Sequence, residues 1–188
     1  MKTAIILGSV RKVRLGERVA KWVLESARAK NIDIELLDLK EYPLPFFDEP
    51  ESPIMSKGNF INPAAMQWGA KLSEFDAFIF VAPEYNYSYS GVLKNALDYV
   101  YAQFKEKPAA IISYSGGPYA GVRMTQLLRN LLTAQGAVTL QEIINIAKAQ
   151  EAINEDGTLV NEHFKEALDK QLNSLNSWHE VLKLKRAK

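Results

Sequence analysis

Three short stretches of this chain concentrate residues able to do chemistry. The first, Gly8-Ser9-Val10-Arg11-Lys12-Val13-Arg14-Leu15-Gly16, follows an apolar run and brings a hydroxyl, two guanidinium groups and a glycine to the start of a helical pattern. Backbone N–H groups and the dipole at a helix start favour an anion, and arginine adds bidentate charge-assisted bonds, so these residue types point to a phosphate. The plainer alternative is a solvated basic turn. The loop has neither the Gly-x-Gly-x-x-Gly spacing of dinucleotide folds nor the Gly-Lys-Ser/Thr of a P-loop. A tightly held NAD and ATP hydrolysis are therefore disfavoured, and a monophosphate fits better.

The second stretch, Pro83-Glu84-Tyr85-Asn86-Tyr87-Ser88-Tyr89-Ser90-Gly91, ends an apolar run and opens the helical segment Leu93-Lys94-Asn95-Ala96-Leu97-Asp98. Three tyrosines and an amide suit a flat aromatic ligand edged with hydrogen-bonding groups, although aromatic turns also serve to close a core. The third, Ser113-Tyr114-Ser115-Gly116-Gly117-Pro118-Tyr119-Ala120-Gly121, lets backbone come close to a ligand because glycine carries no Cβ. Its alternative is a mobile turn.

Other reactive residue types do not assemble. His163 and His179 are isolated, so no metal site is expected and a surface or packing role is preferred for both. Asp48, Glu49 and Glu51 lie in a proline-rich stretch without a partner histidine and are assigned no catalysis. Trp22 and Trp178 fall on helical stripes and read as core, whereas Trp68 reads either as core or as a stacking platform.

The elements that must position these loops follow from periodicity. Apolar runs at residues 4–7, 32–37, 77–82, 109–113 and 138–146 are bounded by turn residues or charges and read as five strands. Between them the spacing is helical: Val19, Trp22, Val23 and Ala27; Val92, Leu93, Ala96, Leu97, Val100 and Phe104; Val122, Leu127, Leu128, Leu131 and Leu132. A turn at Asn154-Glu155-Asp156-Gly157 precedes a terminal helix carrying Phe164, Leu168, Leu172, Leu175 and Leu182. Alternating strands and helices give an α/β fold, a three-layer sandwich around a parallel sheet. The prolines at 43, 45, 50, 53 and 63 are expected to forbid regular structure over residues 40–63. The three loops then follow the first, third and fourth strands, which a doubly wound five-stranded sheet places on one edge.

At 188 residues and 47% hydrophobic composition the chain suits one domain, residues 1–188. With 23 basic and 22 acidic residues no overall field argues for nucleic acid or an anionic membrane as partner; only residues 183–188 are locally basic. The absence of cysteine excludes disulfides, thiolate metal sites and cysteine nucleophiles. The first apolar run is cut short by Gly8 and the basic residues after it, so it reads as a strand rather than a signal peptide. A cytoplasmic protein is expected.

At these residues the chain resembles the NADPH-dependent FMN reductase family, the flavodoxin-like quinone, azo-dye and chromate reductases. The resemblance runs over roughly residues 2–136. It rests on Gly8-Ser9-x-Arg11-x-x-Arg14-x-Gly16 with Val19-Ala20-x-Trp22-Val23, on Asp38-Leu39 with Tyr42-Pro43-Leu44-Pro45 and Asp48-Glu49-Pro50, and on Pro83-Glu84-Tyr85-Asn86 with Leu93-Lys94-Asn95-Ala96-Leu97-Asp98. It implies a flavodoxin-like strand order of 2-1-3-4-5 and FMN held non-covalently. Ser9, Arg11 and Arg14, with Gly16 at the helix start, would hold the phosphate. Pro83, Glu84, Tyr85, Asn86 and Tyr87 would border the ribityl chain and isoalloxazine, and Ser115, Gly116 and Gly117 would close the ring's other edge. The third loop departs from the family's usual Ser-Tyr-Gly-Gly by one residue, Ser115 being inserted or substituted.

The resemblance also implies that FMN carries the chemistry and that no side chain serves as catalyst. NADPH or NADH would deliver hydride and leave, and a quinone or similar small acceptor would take its place in a ping-pong cycle. Arg123, Lys105 and Lys107 are candidates for meeting the 2′-phosphate of NADPH. The residue 40–63 segment and the Leu93–Asp98 helix are expected at a pocket rim or at the interface of a homodimer or homotetramer. Two rival readings stand beside this one: a flavodoxin-like electron carrier, against which the balanced charge speaks, and a non-catalytic redox-sensing or phospholigand-binding protein.

Overall fold

Ala4 and Ile6 face one core cluster while Ile5 and Leu7 face another, so the first apolar run is a strand buried on both sides. Such a strand needs helices over both faces. In chain order the elements are β1 (Thr3–Leu7), α1 (Gly16–Arg28), β2 (Ile34–Asp38), α2 (Pro53–Ser56), α3 (Pro63–Ser73), β3 (Ala77–Pro83), α4 (Gly91–Asp98), β4 (Pro108–Tyr114), α5 (Val122–Ala134), β5 (Val138–Ile146), α6 (Ala149–Ala152) and α7 (His163–Arg186). The structure, a computed structural model, describes residues 1–160 and 162–187. The five strands pair in parallel in the order β2-β1-β3-β4-β5. The expected three-layer, doubly wound sheet is the one observed.

On one face, Val19, Trp22 and Val23 of α1 and Leu168, Leu172 and Leu175 of α7 pack on Ile5, Ile79 and Ile112. On the other, Trp68 and Leu72 of α3, Leu93 and Leu97 of α4, and Leu128 and Leu132 of α5 cover Ile6, Phe78 and Phe80. Each large side chain so buried contributes about 1.5–3 kcal/mol. No helix among the described residues is long and apolar enough to cross a membrane.

Three expectations need correction. Prolines do not abolish regular structure over residues 40–63: Pro53 opens the single turn α2 and Pro63 opens α3, each at a first-turn position where the missing N–H has no helical partner to lose. Asn62 caps α3 by accepting from the Ala64 N–H at 2.9 Å, and Glu49 takes the N–H groups of Ile61 and Asn62 at 2.7 and 2.9 Å, so that carboxylate is structural. Trp178 is 44% exposed, whereas Trp22 and Trp68 are core, the Trp68 indole donating to the Ala96 carbonyl. In α5, Val122 and Leu127 of the expected stripe are exposed; Met124 and Thr125 are buried there instead.

β1 has β2 on one side and β3 on the other, so strand order reverses there, and Leu7 lies in register with Asp38 and Val81. In sheets of this kind a ligand binds beyond the carboxyl ends of the strands at the reversal. The loops after β1, β3 and β4 all emerge at that edge.

Candidate functional site

The first loop is braced from below. Arg14 is only 3% exposed at its side chain. Its Nη1 donates to Asp38 Oδ1 at 2.8 Å and to the Ser9 carbonyl, its Nη2 meets Asp38 Oδ2, and its Nε donates to Glu17 Oε1 at 2.9 Å. Burial opposes the charge, but the bonds to Asp38 and Glu17 outweigh it and raise the pKa, so the guanidinium stays charged. Asp38, at the end of β2, also takes the N–H of Lys40 at 2.9 Å. Arg14 thus fixes the loop to the neighbouring strand. Arg11 is different: it is exposed and makes no ion pair among the described residues.

The second loop turns tightly. The Tyr85 N–H donates to the Ser88 carbonyl at 2.7 Å and the Ser88 N–H returns to Tyr85 at 3.0 Å, with Asn86 and Tyr87 between them at φ of 49° and 68°. Asparagine tolerates the left-handed region; a tyrosine held there is strained, which is usual where function over-determines the backbone. The turn lifts Tyr87 out to 64% exposure, and it sends the Tyr85 hydroxyl back to Ser9 Oγ at 2.7 Å. Ser90 ends the loop, capping α4 at the Leu93 N–H and donating to the Gly8 carbonyl, which ties the second loop to the first.

Glu84 points away from this contact. Its carboxylate accepts from the N–H groups of Arg123 and Met124 at 3.1 and 3.3 Å, capping α5, and pairs with Arg123 Nη1 at 2.6 Å. The Arg123 guanidinium lies 4.1 Å from the ring centre of Tyr87 and 4.6 Å from that of Tyr119. Lys107, by contrast, donates to the Phe75 carbonyl beside the start of β4, at the opposite edge of the sheet, and Lys105 packs on Gly136 at that same end. Of the three cationic candidates for a nucleotide phosphate, only Arg123 borders the site.

The third loop is anchored to the segment after β5. Ser115 Oγ donates to the Gly117 carbonyl at 2.8 Å, Lys148 N–H to the same carbonyl at 3.0 Å, and Gln150 Nε2 to the Gly116 carbonyl at 3.1 Å. Beneath it, Ser113 Oγ donates to the Ala120 carbonyl at 2.6 Å and Asn145 bridges Ser113 to Thr125. Gly121 has φ +80°, and a Cβ there would lie 2.9 Å from that of Ser113, so only glycine serves. Gly116 and Gly117 are under no such constraint, since a Cβ at Gly117 would meet nothing within 4 Å and one at Gly116 only ordinary contacts at 3.7 Å.

The three loops enclose a cavity of about 150 Å³. Ser9, Arg11 and Arg14 line it from the first, Pro83, Glu84 and Tyr85 from the second, and Ser115 and Gly116 from the third. Asn86, Tyr87, Gly117 and Gly16 do not line it. Gly16 is a packing position: a Cβ there would lie 2.7 Å from Leu7 Cδ1 and 2.8 Å from Tyr114 Cζ. Three lining residues, Val13, Leu15 and Tyr114, were not among the sequence candidates. Tyr114 was readable only as part of the third loop's sequence. Burial raises its phenol pKa well above the usual value, with Tyr85 adding to the effect.

The donor set suits a phosphate. Glu84, the carboxylate that lines the cavity, pairs with Arg123, while Asp38 and Glu17 both pair with Arg14, which leaves Arg11 as the lining cation without an ion pair among the described residues. The cavity is smaller than the ~300–1,000 Å³ of typical small-molecule clefts, so it has room for a phosphate-sized group and not for a whole nucleotide. Among the described residues no cluster of histidine, aspartate and glutamate could hold a metal.

A 2-1-3-4-5 parallel sheet with a phosphate-sized basic pocket at its reversal point defines a flavodoxin-like protein. More narrowly, the chain belongs to the NADPH-dependent FMN reductase family, whose sequence model matches residues 1–151. It is 43% identical over 116 residues to an NAD(P)H-dependent FMN reductase of Schizosaccharomyces pombe, a stretch covering 61% of this chain and 58% of that protein. A potato (Solanum tuberosum) NAD(P)H:quinone oxidoreductase is 30% identical over 193 residues, covering 98% of this chain and 95% of its own. Among solved structures, the flavoenzyme NAD(P)H:(acceptor) oxidoreductase FerB of Paracoccus denitrificans superposes with a TM-score of 0.78 at 26% identity, over 96% of this chain and 97% of that one.

Proposed function

We propose that this protein is an NAD(P)H-dependent oxidoreductase that reduces quinones, azo compounds, flavin or similar small acceptors through non-covalently bound FMN. The observation that carries the proposal is the unpaired Arg11 beside Ser9, in a cavity whose one lining carboxylate, Glu84, is already paired with Arg123. Ser9 and Arg11 hold the phosphate, and Arg14 holds the loop that presents them. Pro83, Glu84 and Tyr85 border the ribityl chain and ring, with Asn86 and Tyr87 at the outer edge. Gly116 and Gly117 need not be glycine for the chain's own packing; an approaching ring gives their backbone a reason to be bare.

FMN bound there supplies the redox chemistry, taking a hydride from the nicotinamide and passing electrons to the acceptor. Protein side chains orient and desolvate it. Were both substrates to use the bound flavin in turn, double-reciprocal plots would be parallel, and intersecting lines would count against that order. Arg123, held between Tyr87 and Tyr119 at the pocket's edge, is the residue we place against the 2′-phosphate of NADPH. The exposed Phe46, beside Val92 and Asn95 in an apolar groove, is the surface we assign to a homodimer.

Anaerobic mixing tests the reading. The flavin-loaded protein is expected to bleach on addition of NADPH or NADH and to regain its colour with a quinone. Failure to bleach with either nucleotide would make it a carrier or sensor instead, and failure to bind FMN would remove the flavin reading altogether.

A further inference from the structure

Tyr114 ends β4 with its side chain turned inward, 3% exposed, and its hydroxyl meets no donor or acceptor of hydrogen-bond geometry among the described residues. A hydroxyl buried without a partner is destabilising, and buried tyrosines as a rule find one. Other side-chain atoms are left in the same state, on Thr3, Gln135, Gln171 and His179, but none of those residues lines the cavity between the three loops. Tyr114 does.

The surroundings say what is missing. Ser9 is close enough to act on the phenol, but the two hydroxyls do not meet in hydrogen-bond geometry, and the Ser9 Oγ bonds the Tyr85 hydroxyl instead, at 2.7 Å. Arg11 and Arg14 are near enough for their charges to be felt there. Both are donors only, and burial keeps the phenol protonated, so Tyr114 too has a proton to offer and nothing to take it. Arg14 spends its donors on Ser9, Asp38 and Glu17, but Arg11 and Tyr114 have theirs to spare, and two such donors side by side call for an anion with several acceptor oxygens. The chain also makes room for the phenol: any side chain at Gly16 would run into the Tyr114 ring and Leu7, so the glycine opening α1 keeps the tyrosine in place.

We propose that Tyr114 is a binding residue of the cofactor site, its hydroxyl donating to the FMN phosphate beside Ser9 and Arg11, and that Gly16 acts through it. The inference rests on the FMN reading above. A ribityl hydroxyl is the other acceptor within the same ligand, and the positive surroundings favour the phosphate over it.

Tyr114→Phe isolates the hydroxyl while keeping the ring. The apo protein, wild type and variant, is titrated with FMN and with riboflavin by flavin fluorescence, and its thermal midpoint is measured without ligand. The variant should lose FMN affinity by roughly tenfold or more while riboflavin affinity stays unchanged. Its apo midpoint should stay level or rise, because an unpaired buried hydroxyl has been removed. Unaltered FMN affinity, equal losses for FMN and riboflavin, or a lowered apo midpoint would each overturn the assignment. A wild-type protein that binds no FMN would instead overturn the flavin reading itself.

Discussion

Arg14 and Asp38 form a side-by-side ion pair beneath the first loop, with Nη1 2.8 Å from Oδ1 and Nη2 on Oδ2. The pair joins the loop after β1 to the end of β2 and is nearly sealed from solvent, Arg14 more completely than Asp38. Removing one member of a buried pair leaves the other uncompensated, a loss of about 3–5 kcal/mol when nothing replaces it. Asp38→Ala leaves Glu17 on the guanidinium. The expected loss is therefore smaller, about 2–3 kcal/mol in urea unfolding of the apo protein. A midpoint that does not move would mean that the pair contributes no more than a surface one.

Arg11 should behave in the opposite way. It has no ion pair among the described residues and lies exposed at the cavity, so Arg11→Ala should leave apo stability within about 0.5 kcal/mol. A charge-assisted bond to phosphate is worth about 1.5–3 kcal/mol, and its loss should weaken FMN binding roughly ten- to a hundredfold. At saturating FMN the flavin chemistry should be intact. If the variant holds FMN as tightly as wild type, the phosphate lies elsewhere.

Arg123 carries the nicotinamide preference in this reading. Arg123→Ala should raise the KM for NADPH by roughly tenfold, leave that for NADH unchanged and leave kcat at saturation intact. Glu84 keeps two backbone N–H partners in the variant, which limits the structural loss. Equal changes for both nucleotides would show that Arg123 only packs against Tyr87 and Tyr119.

The homodimer assigned to the Phe46 groove is tested by charge. Phe46 is 86% exposed, so Phe46→Asp costs a monomer little. Buried in an apolar interface, an unpaired carboxylate is costly. Sedimentation equilibrium should find the variant monomeric at concentrations where the wild type is dimeric. A variant that still associates would place the interface elsewhere.

The strands were legible because each apolar run is short and bounded, whereas their order came from the resemblance to the flavodoxin-like reductases. The loops were legible for the same reason, as breaks at strand ends carrying unusual residue types. Roles that depend on contact across the chain were not. Arg14 reads as a second phosphate ligand until the sheet register sets Asp38 beside it. Gly16 reads as part of a phosphate loop until the Tyr114 ring is found lying over it. Pro63 reads as a breaker unless its place at the first turn of α3 is known, and Trp178 reads as core until the phase of α7 turns its neighbours Leu175, His179 and Leu182 inward and leaves it outside.

His179 gives the fold a pH dependence independent of the flavin. It is buried on α7 with Nδ1 unpartnered, and burial lowers its pKa from the ordinary 6.5; the carboxylates of Asp76 and Glu180 oppose that shift, and the amino terminus and Arg186 reinforce it. With the folded pKa below the unfolded one, the unfolded chain binds the extra proton first. Stability is then complete above about pH 6.5 and declines as pH falls toward the folded pKa. In urea titrations the wild type should weaken as pH falls below about 6.5, and His179→Leu, which has no proton to take up, should weaken less over the same fall. Parallel curves for the two proteins would show that the buried imidazole does not set the acid sensitivity.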